Sequence, residues 1–139
     1  MREIINPKNV HWPFGYTHVC KIGDTVHVSG QLALDQEGKI VGEGDMILQT
    51  EKTYENLKKC LESVGATIND IVMLRIFVTD LEAFQKTGDI RKKYFGKYRP
   101  VTTGLEISRL YFPEALIEVE ATAVIGSGSS EESIKPKSI

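Results

Sequence analysis

Leu116-Ile117-Glu118-Val119-Glu120-Ala121-Thr122-Ala123-Val124-Ile125 (LIEVEATAVI) decides the fold class. Apolar and polar residues alternate here with a period of two, the signature of a strand and not of a helix. Ile117, Val119, Ala121, Ala123 and Ile125 share one face; Glu118, Glu120 and Thr122 share the other. One side of this strand must therefore meet a core, while the other carries two carboxylates. Thr102–Arg109 reads as the strand before it and presents Thr102, Gly104, Glu106 and Ser108 at a common parity. Ile71–Val78 (IVMLRIFV) is nearly continuously apolar and β-branched, as in a strand buried on both faces. Thr79-Asp80-Leu81-Glu82 then offers a capping-box start to a helix, with Leu81, Phe84, Tyr94 and Phe95 as its apolar face and Gly96 as its stop. An earlier helix is predicted from the helical spacing of Ile47, Tyr54, Leu57, Leu61 and Val64. Lys52, Glu55, Lys58, Lys59 and Glu62 fall largely opposite, and Gly65 ends it. Nearer the start, Tyr16–Ile22 and Thr25–Gly30 form a hairpin through Gly23-Asp24, with Gly first as a type II′ turn prefers. A second turn at Asp35-Gln36-Glu37-Gly38 joins Gln31–Leu34 to Lys39–Val41. This order predicts an α+β domain in which two helices cover one face of a mixed sheet. The uncovered face, partly apolar and partly acidic, is a poor solvent surface and fits a subunit interface with polar pockets.

At 139 residues the chain has the size of one domain, and its 41% apolar content is ordinary for a globular protein. Residues 1–125 contain no repeat or linker, while residues 126–139 (GSGSSEESIKPKSI) read as a disordered Gly/Ser-rich tail. A net charge of −2 leaves no basic excess to neutralise a phosphate backbone, so nucleic acid is not an expected partner. No apolar run approaches the roughly 18 residues of a membrane helix. Met1–Asn9 lacks a signal peptide's apolar stretch, so a cytoplasmic location is expected. Cys20 and Cys60 stand in no metal-ligand spacing and read as reduced thiols. Phosphate-loop and Rossmann glycine patterns are absent. The expected partner is a small molecule, with no metal or organic cofactor.

Several short segments together resemble the RidA/YjgF family of reactive-intermediate (enamine/imine) deaminases. They are Gly15-Tyr16-Thr17, Gly23-Asp24, Val28-Ser29-Gly30-Gln31, Asn56-Leu57 and Phe77-Val78-Thr79-Asp80. Tyr94-Phe95, Glu106-Ile107-Ser108-Arg109-Leu110 and Glu118-Val119-Glu120-Ala121 continue the series, in the family's order over residues 2 to 125. The resemblance implies a chorismate-mutase-like α+β fold and a homotrimer, its three sheets forming a central barrel with clefts between subunits. It also implies that Tyr16 and the backbone at Gly30 contact a ligand and that Glu118 positions an attacking water. The family's carboxylate-binding Arg corresponds to Thr102 in Pro100-Val101-Thr102-Thr103, and its frequent Cys to Gly104. A threonine hydroxyl binds a carbonyl or hydroxyl but cannot replace a bidentate, always-charged clamp. Gly88 stands where the family has Asn; Arg91, three residues on and on the same helix face, is the candidate compensating cation.

Each assignment has a plainer alternative. Glu118 and Glu120 can pair with Arg75 or Arg109 as interface ion pairs. Tyr16 can cap the core edge, and Thr102 and Thr103 are good strand formers in any case. His18, two residues after Tyr16, is either a cleft acid/base or a structural residue. His27 is read as facing solvent or an interface, and Cys20 as a nucleophile only without a visible base. The function expected is binding of a small carbonyl or imine metabolite, with hydrolysis of an enamine or imine to a keto compound and ammonia. The alternative is a non-catalytic metabolite sensor or partner-binding trimer.

Overall fold

The computed structural model describes residues 1–129. Its strands are β1 (Glu3–Ile5), β2 (Val19–Ile22), β3 (Thr25–Leu32), β4 (Ile71–Val78), β5 (Val101–Glu106) and β6 (Ile117–Val124). They form one sheet in the order β1-β2-β3-β6-β4-β5, antiparallel throughout except between β4 and β5. Three helices, α1 (Met46–Glu62), α2 (Leu81–Phe84) and α3 (Gly88–Phe95), complete the α+β architecture. α1 lies on β3 and β6, with α2 and α3 beside it. The expected single second helix is broken after Phe84, where Thr87 Oγ donates to the Phe84 carbonyl at 2.6 Å. Gly96, at φ +58°, ends α3 as a positive-φ glycine should.

β6 alternates as its sequence dictates: Ile117, Val119, Ala121 and Ala123 are buried, and Glu118, Glu120 and Thr122 are half-buried on the uncovered side. The ladder to β4 sets Val119 beside Ile76 and Ala121 beside Leu74, and on the other face Glu118 beside Phe77 and Glu120 beside Arg75. β4 is thus one-sided and not buried on both faces as expected: Leu74, Ile76 and Val78 are buried while Arg75 is exposed. Its apolar run looked two-sided because Met73 and Phe77 also serve the uncovered face.

Register decides which parity of β5 faces the helices. Leu74 pairs with Thr102, Ile76 with Gly104 and Val78 with Glu106, so Thr102, Gly104 and Glu106 belong to the helix side. Glu106 shows this directly by accepting from the Leu81 N–H, at the start of α2, at 3.0 Å. Val101, Thr103 and Leu105 take the uncovered face. β5 stops at Glu106, short of Arg109, and all of its residues are exposed, as an unpartnered edge strand dictates.

The first half of α1 departs from its apolar expectation. Ile47 is exposed, while Met46, Gln49, Thr50, Thr53 and Asn56 are buried. The polar side chains hold irregular backbone. Asn56 Nδ2 donates to the Leu32 and Leu34 carbonyls, both at 2.9 Å. Gln49 donates to the Gly42 and Glu114 carbonyls at 3.1 and 2.9 Å and accepts from the Leu116 N–H at 2.8 Å. Loop carbonyls that would otherwise be buried unpaired are thereby satisfied. The predicted second hairpin is reduced to one bridge, Leu34 to Ile40. At the other end order continues past Gly126. Ser127–Ser129 form one 3-10 turn, and the Gly128 N–H donates to Asp70 Oδ1 at 2.9 Å. The rest of the predicted tail lies outside the described residues.

Candidate functional site

The β3–β6 ladder slips between Val28 and Gln31. Val28 faces Ala121 and Gln31 faces Val119, so three steps on β3 (31 − 28) oppose two on β6 (121 − 119). This bulge falls at Ser29-Gly30 and re-aims the strand beside Glu118, as bulges near functional sites do. The Glu118 carboxylate lies directly against Gly30. A Cβ built on Gly30 would stand 1.8 Å from Glu118 Oε1 and 2.7 Å from its carboxyl carbon. Glycine is favoured here by the close approach of that side chain, not by a left-handed backbone. Gly30→Ala is therefore expected to fold normally, because the obstructing atoms end a flexible side chain. It should push the carboxylate toward water. NMR titration of Glu118 should then show its raised pKa falling back toward the ordinary value, and an unchanged titration would disprove the contact.

Burial, and secondarily the charge of Glu120, hold the Glu118 carboxyl above the usual carboxylate range. Glu120 itself is paired with Arg75 at 3.1 Å, the ion pair anticipated for it. Among the described residues no lysine or arginine lies within ion-pair distance of Glu118.

Glu118 closes the floor of a cavity of about 640 Å³ whose walls include His11, Trp12, Tyr16, Leu32, Glu37 and Tyr111. Tyr16 Oη is 2.7 Å from His11 Nε2. Burial, then nearby Glu118 and Cys60, raise the Tyr16 phenol above its ordinary value. Behind it His18 is fully buried, with Nε2 2.8 Å from the His11 carbonyl and Nδ1 3.0 Å from Gln31 Nε2. Gln31 Nε2 also meets the Ser29 carbonyl at 3.1 Å, an obligate acceptor, so this atom is the amide nitrogen. It must donate to His18 Nδ1, leaving the His18 proton on Nε2 to donate to the His11 carbonyl. His18 is thus a neutral structural residue, and burial lowers its pKa. His11 is likewise neutral, pushed down to about 4 by burial and by His18. Its Nδ1 is buried without a hydrogen-bond partner among the described residues. A buried orphan N–H costs more than an under-used acceptor, so the proton sits on Nε2 and donates to Tyr16 Oη. The Tyr16 hydroxyl hydrogen is then free to point into the cavity.

A single protomer brings together Tyr16, Gly30 and Glu118 but not the other predicted contacts. Thr102 Oγ donates to the Pro100 carbonyl at 2.8 Å on the edge strand. Thr103 is exposed one residue further along. Arg91 is exposed on α3 with Nη2 donating to the Tyr98 carbonyl at 3.2 Å. His11, Trp12, Phe14 and Tyr111 are not in the sequence reading; the signal for the first three is the density of rings in His11-Trp12-Pro13-Phe14-Gly15-Tyr16, and that segment carries none for Tyr111. Cys60 is buried with its thiol pushed up to about 12, and so is inert. Among the described residues no group of three or more His, Cys, Asp or Glu is arranged to hold a metal ion.

A family model described as Endoribonuclease L-PSP matches residues 11–125. A RutC family protein of Pyrococcus abyssi is 36% identical over 123 residues, covering 88% of this chain and 96% of the relative. The chain belongs to the RidA/YjgF family. Another relative, the 3-aminoacrylate deaminase RutC of Acinetobacter baylyi, is 31% identical over 88% of this chain and 97% of its own. The crystal structure of a Rid-family protein from Yersinia pestis superposes with a TM-score of 0.83 at 28% identity, over 90% of this chain and all of that one. Among the described residues the cavity is lined by the carboxylates of Glu118 and Glu37 and by no lysine or arginine.

Proposed function

We propose that this RidA/YjgF protein hydrolyses a small imine or enamine to a carbonyl compound and ammonia. The observation that carries the reading is the Glu118 carboxylate, without an ion-pair partner among the described residues and seated against Gly30 in a cavity that Tyr16 also lines. Burial and Glu120 raise the pKa of Glu118, which favours a group that must both take and return a proton. Glu118 removes a proton from water as the oxygen bonds to the imine carbon. The C=N electron pair goes to nitrogen, which receives that proton and gives a carbinolamine. The carbinolamine hydroxyl proton then passes by the same carboxylate to nitrogen, the C–N bond breaks and C=O forms. The sum is R2C=NH + H2O → R2C=O + NH3, with Glu118 restored. Tyr16 donates to the substrate and holds it in geometry, most of what so labile a bond requires. The activity named for the Acinetobacter relative, deamination of 3-aminoacrylate, supports the class.

The working form is proposed to be a homotrimer. The exposed edge strand β5, with Val101 and Leu105 on the uncovered face, is what a second copy would cover. That copy would bring its β5 edge to the cavity, with Thr103 on the uncovered face and Thr102 at the edge on the helix side, while Arg91 stays on the helix surface with the Tyr98 carbonyl. A cavity that, among the described residues, has two carboxylates and no lysine or arginine does not favour a ribonuclease reading. Thr102 in place of a charged clamp favours a second reading, a trimer that binds a metabolite without turnover.

The test generates imines in situ by two routes, an amino-acid oxidase and a flavin amine oxidase, and follows their loss with protein of measured solution mass. Acceleration over buffer on at least one route is expected from a particle of three chains. Thr102→Arg should raise the rate on the amino-acid imine about tenfold, the effect of one charge-assisted hydrogen bond. No acceleration on either route leaves the sensor reading, and a lone 15.5 kDa particle removes the shared cleft.

A further inference from the structure

Resting on that reading of the site, we infer that the cavity selects aromatic imine and carbonyl compounds that carry no carboxylate. The walls are built for a ring. Trp12, Phe14 and Tyr111 line the cavity and stand 64%, 85% and 84% exposed in the protomer, an apolar investment that a small, charged ligand would not use. Aromatic side chains at such density bury a flat ligand by offset and edge contacts. The polar groups have the wrong sign for an anion. Among the described residues Glu118 has no counter-ion, and Glu37 is only loosely met at the rim by Lys39 at 3.8 Å. His11 lies behind Tyr16 as a neutral donor to its hydroxyl. Thr102 and Thr103, which the edge strand of another copy would bring, are neutral as well. A ligand carboxylate would lose its water and face Glu118 with, among the described residues, no cation nearer than Lys39 beside Glu37 at the rim, a combination that costs more than the ring contacts return. An uncharged carbonyl needs only the Tyr16 hydroxyl hydrogen, and a protonated imine would be drawn to Glu118 and to the ring faces.

The chain's one tryptophan, Trp12, is in the wall and reports binding directly by its fluorescence. The probes are phenylacetone and phenylpyruvate, the same benzyl ketone ending in a methyl group or a carboxylate. Titrated into the intact protein near neutral pH, phenylacetone is expected to quench saturably with a dissociation constant at least tenfold below that of phenylpyruvate. In Glu118→Gln the gap should narrow, because the ketone keeps its contacts while the keto acid no longer meets a like charge. A gap under tenfold, tighter binding of phenylpyruvate, no saturable quenching by either, or a gap untouched by Glu118→Gln each overturns the inference. The titration needs no turnover, so the two readings fail separately. Selective phenylacetone binding without imine hydrolysis removes only the enzyme, while amino-acid imine hydrolysis with tight phenylpyruvate binding removes only this selectivity.

Discussion

Glu118→Gln is expected to lower imine hydrolysis at least about a hundredfold, the usual worth of a positioned acid/base, while leaving the fold as stable as the parent or more so. The two halves follow from one fact. The native pKa of Glu118 lies above its ordinary value of 4.5 because burial and Glu120 disfavour the charge. The folded state then binds more protons than the unfolded one between those two values. The stability this group contributes is present below the unfolded pKa and is lost as pH rises through the folded one. Above the unfolded value the group is therefore a net liability to the fold, and the isosteric amide removes it. Functional groups held in unfavourable surroundings commonly show this trade. Glu120→Gln should behave differently. It breaks an exposed ion pair with Arg75, worth about 0–1 kcal/mol, and should lose a little stability with most activity kept. Urea unfolding and turnover measured on both variants decide the matter. A Glu118→Gln protein that is less stable and still fully active would make Glu118 a structural residue.

The alternation of Ile117 to Val124 and the limits of Ile71–Val78 are legible because side-chain period is local chemistry. Which face of β5 joins the helices is not, since parity within a strand divides its residues into two sets without naming either. Only the parallel pairing of Leu74 with Thr102 assigns that set to the helix side. The buried Gln49 and Asn56 were hidden for a related reason. Their polarity reads as surface until the loop carbonyls they satisfy are seen at Gly42, Glu114, Leu32 and Leu34. In the site, Tyr16, Gly30 and Glu118 came from the family pattern and not from any periodicity. Neither the bulge that seats Glu118 on Gly30 nor the loop rings at Trp12 and Tyr111 has a period to read. His18 illustrates the opposite case. A strand-like spacing from Tyr16 made it a cleft candidate, yet its bonds to Gln31 and to the His11 carbonyl consume both ring nitrogens.

That same pair of histidines sets the second large effect, a loss of stability of about 3 kcal/mol from His11 alone as pH falls from 6.5 to 4. His11 titrates near 6.5 when unfolded and near 4 when folded. In that window the unfolded chain binds the extra proton, so stability is fully present above 6.5 and drains away as pH falls. His18, lowered in the same direction, adds to the slope. Glu118 opposes it above 4.5, where its own native proton affinity favours the folded state. The ordinary carboxylates that gain hydrogen bonds, Asp35 and Glu55, have lowered values and contribute only at the acid end. His11→Gln keeps a side chain able to donate to Tyr16 Oη but cannot take up a proton. Whatever its absolute stability, its unfolding free energy should vary with pH less steeply than the parent's by about that amount. Urea unfolding of the two proteins at pH 7, 6, 5 and 4.5 compares the slopes and not the offsets. Parallel slopes would mean that His11 accepts its proton in the folded protein. The hydrogen bond to Tyr16 would then be that of a cation, and a positive charge would stand behind the cavity where an anionic ligand could use it.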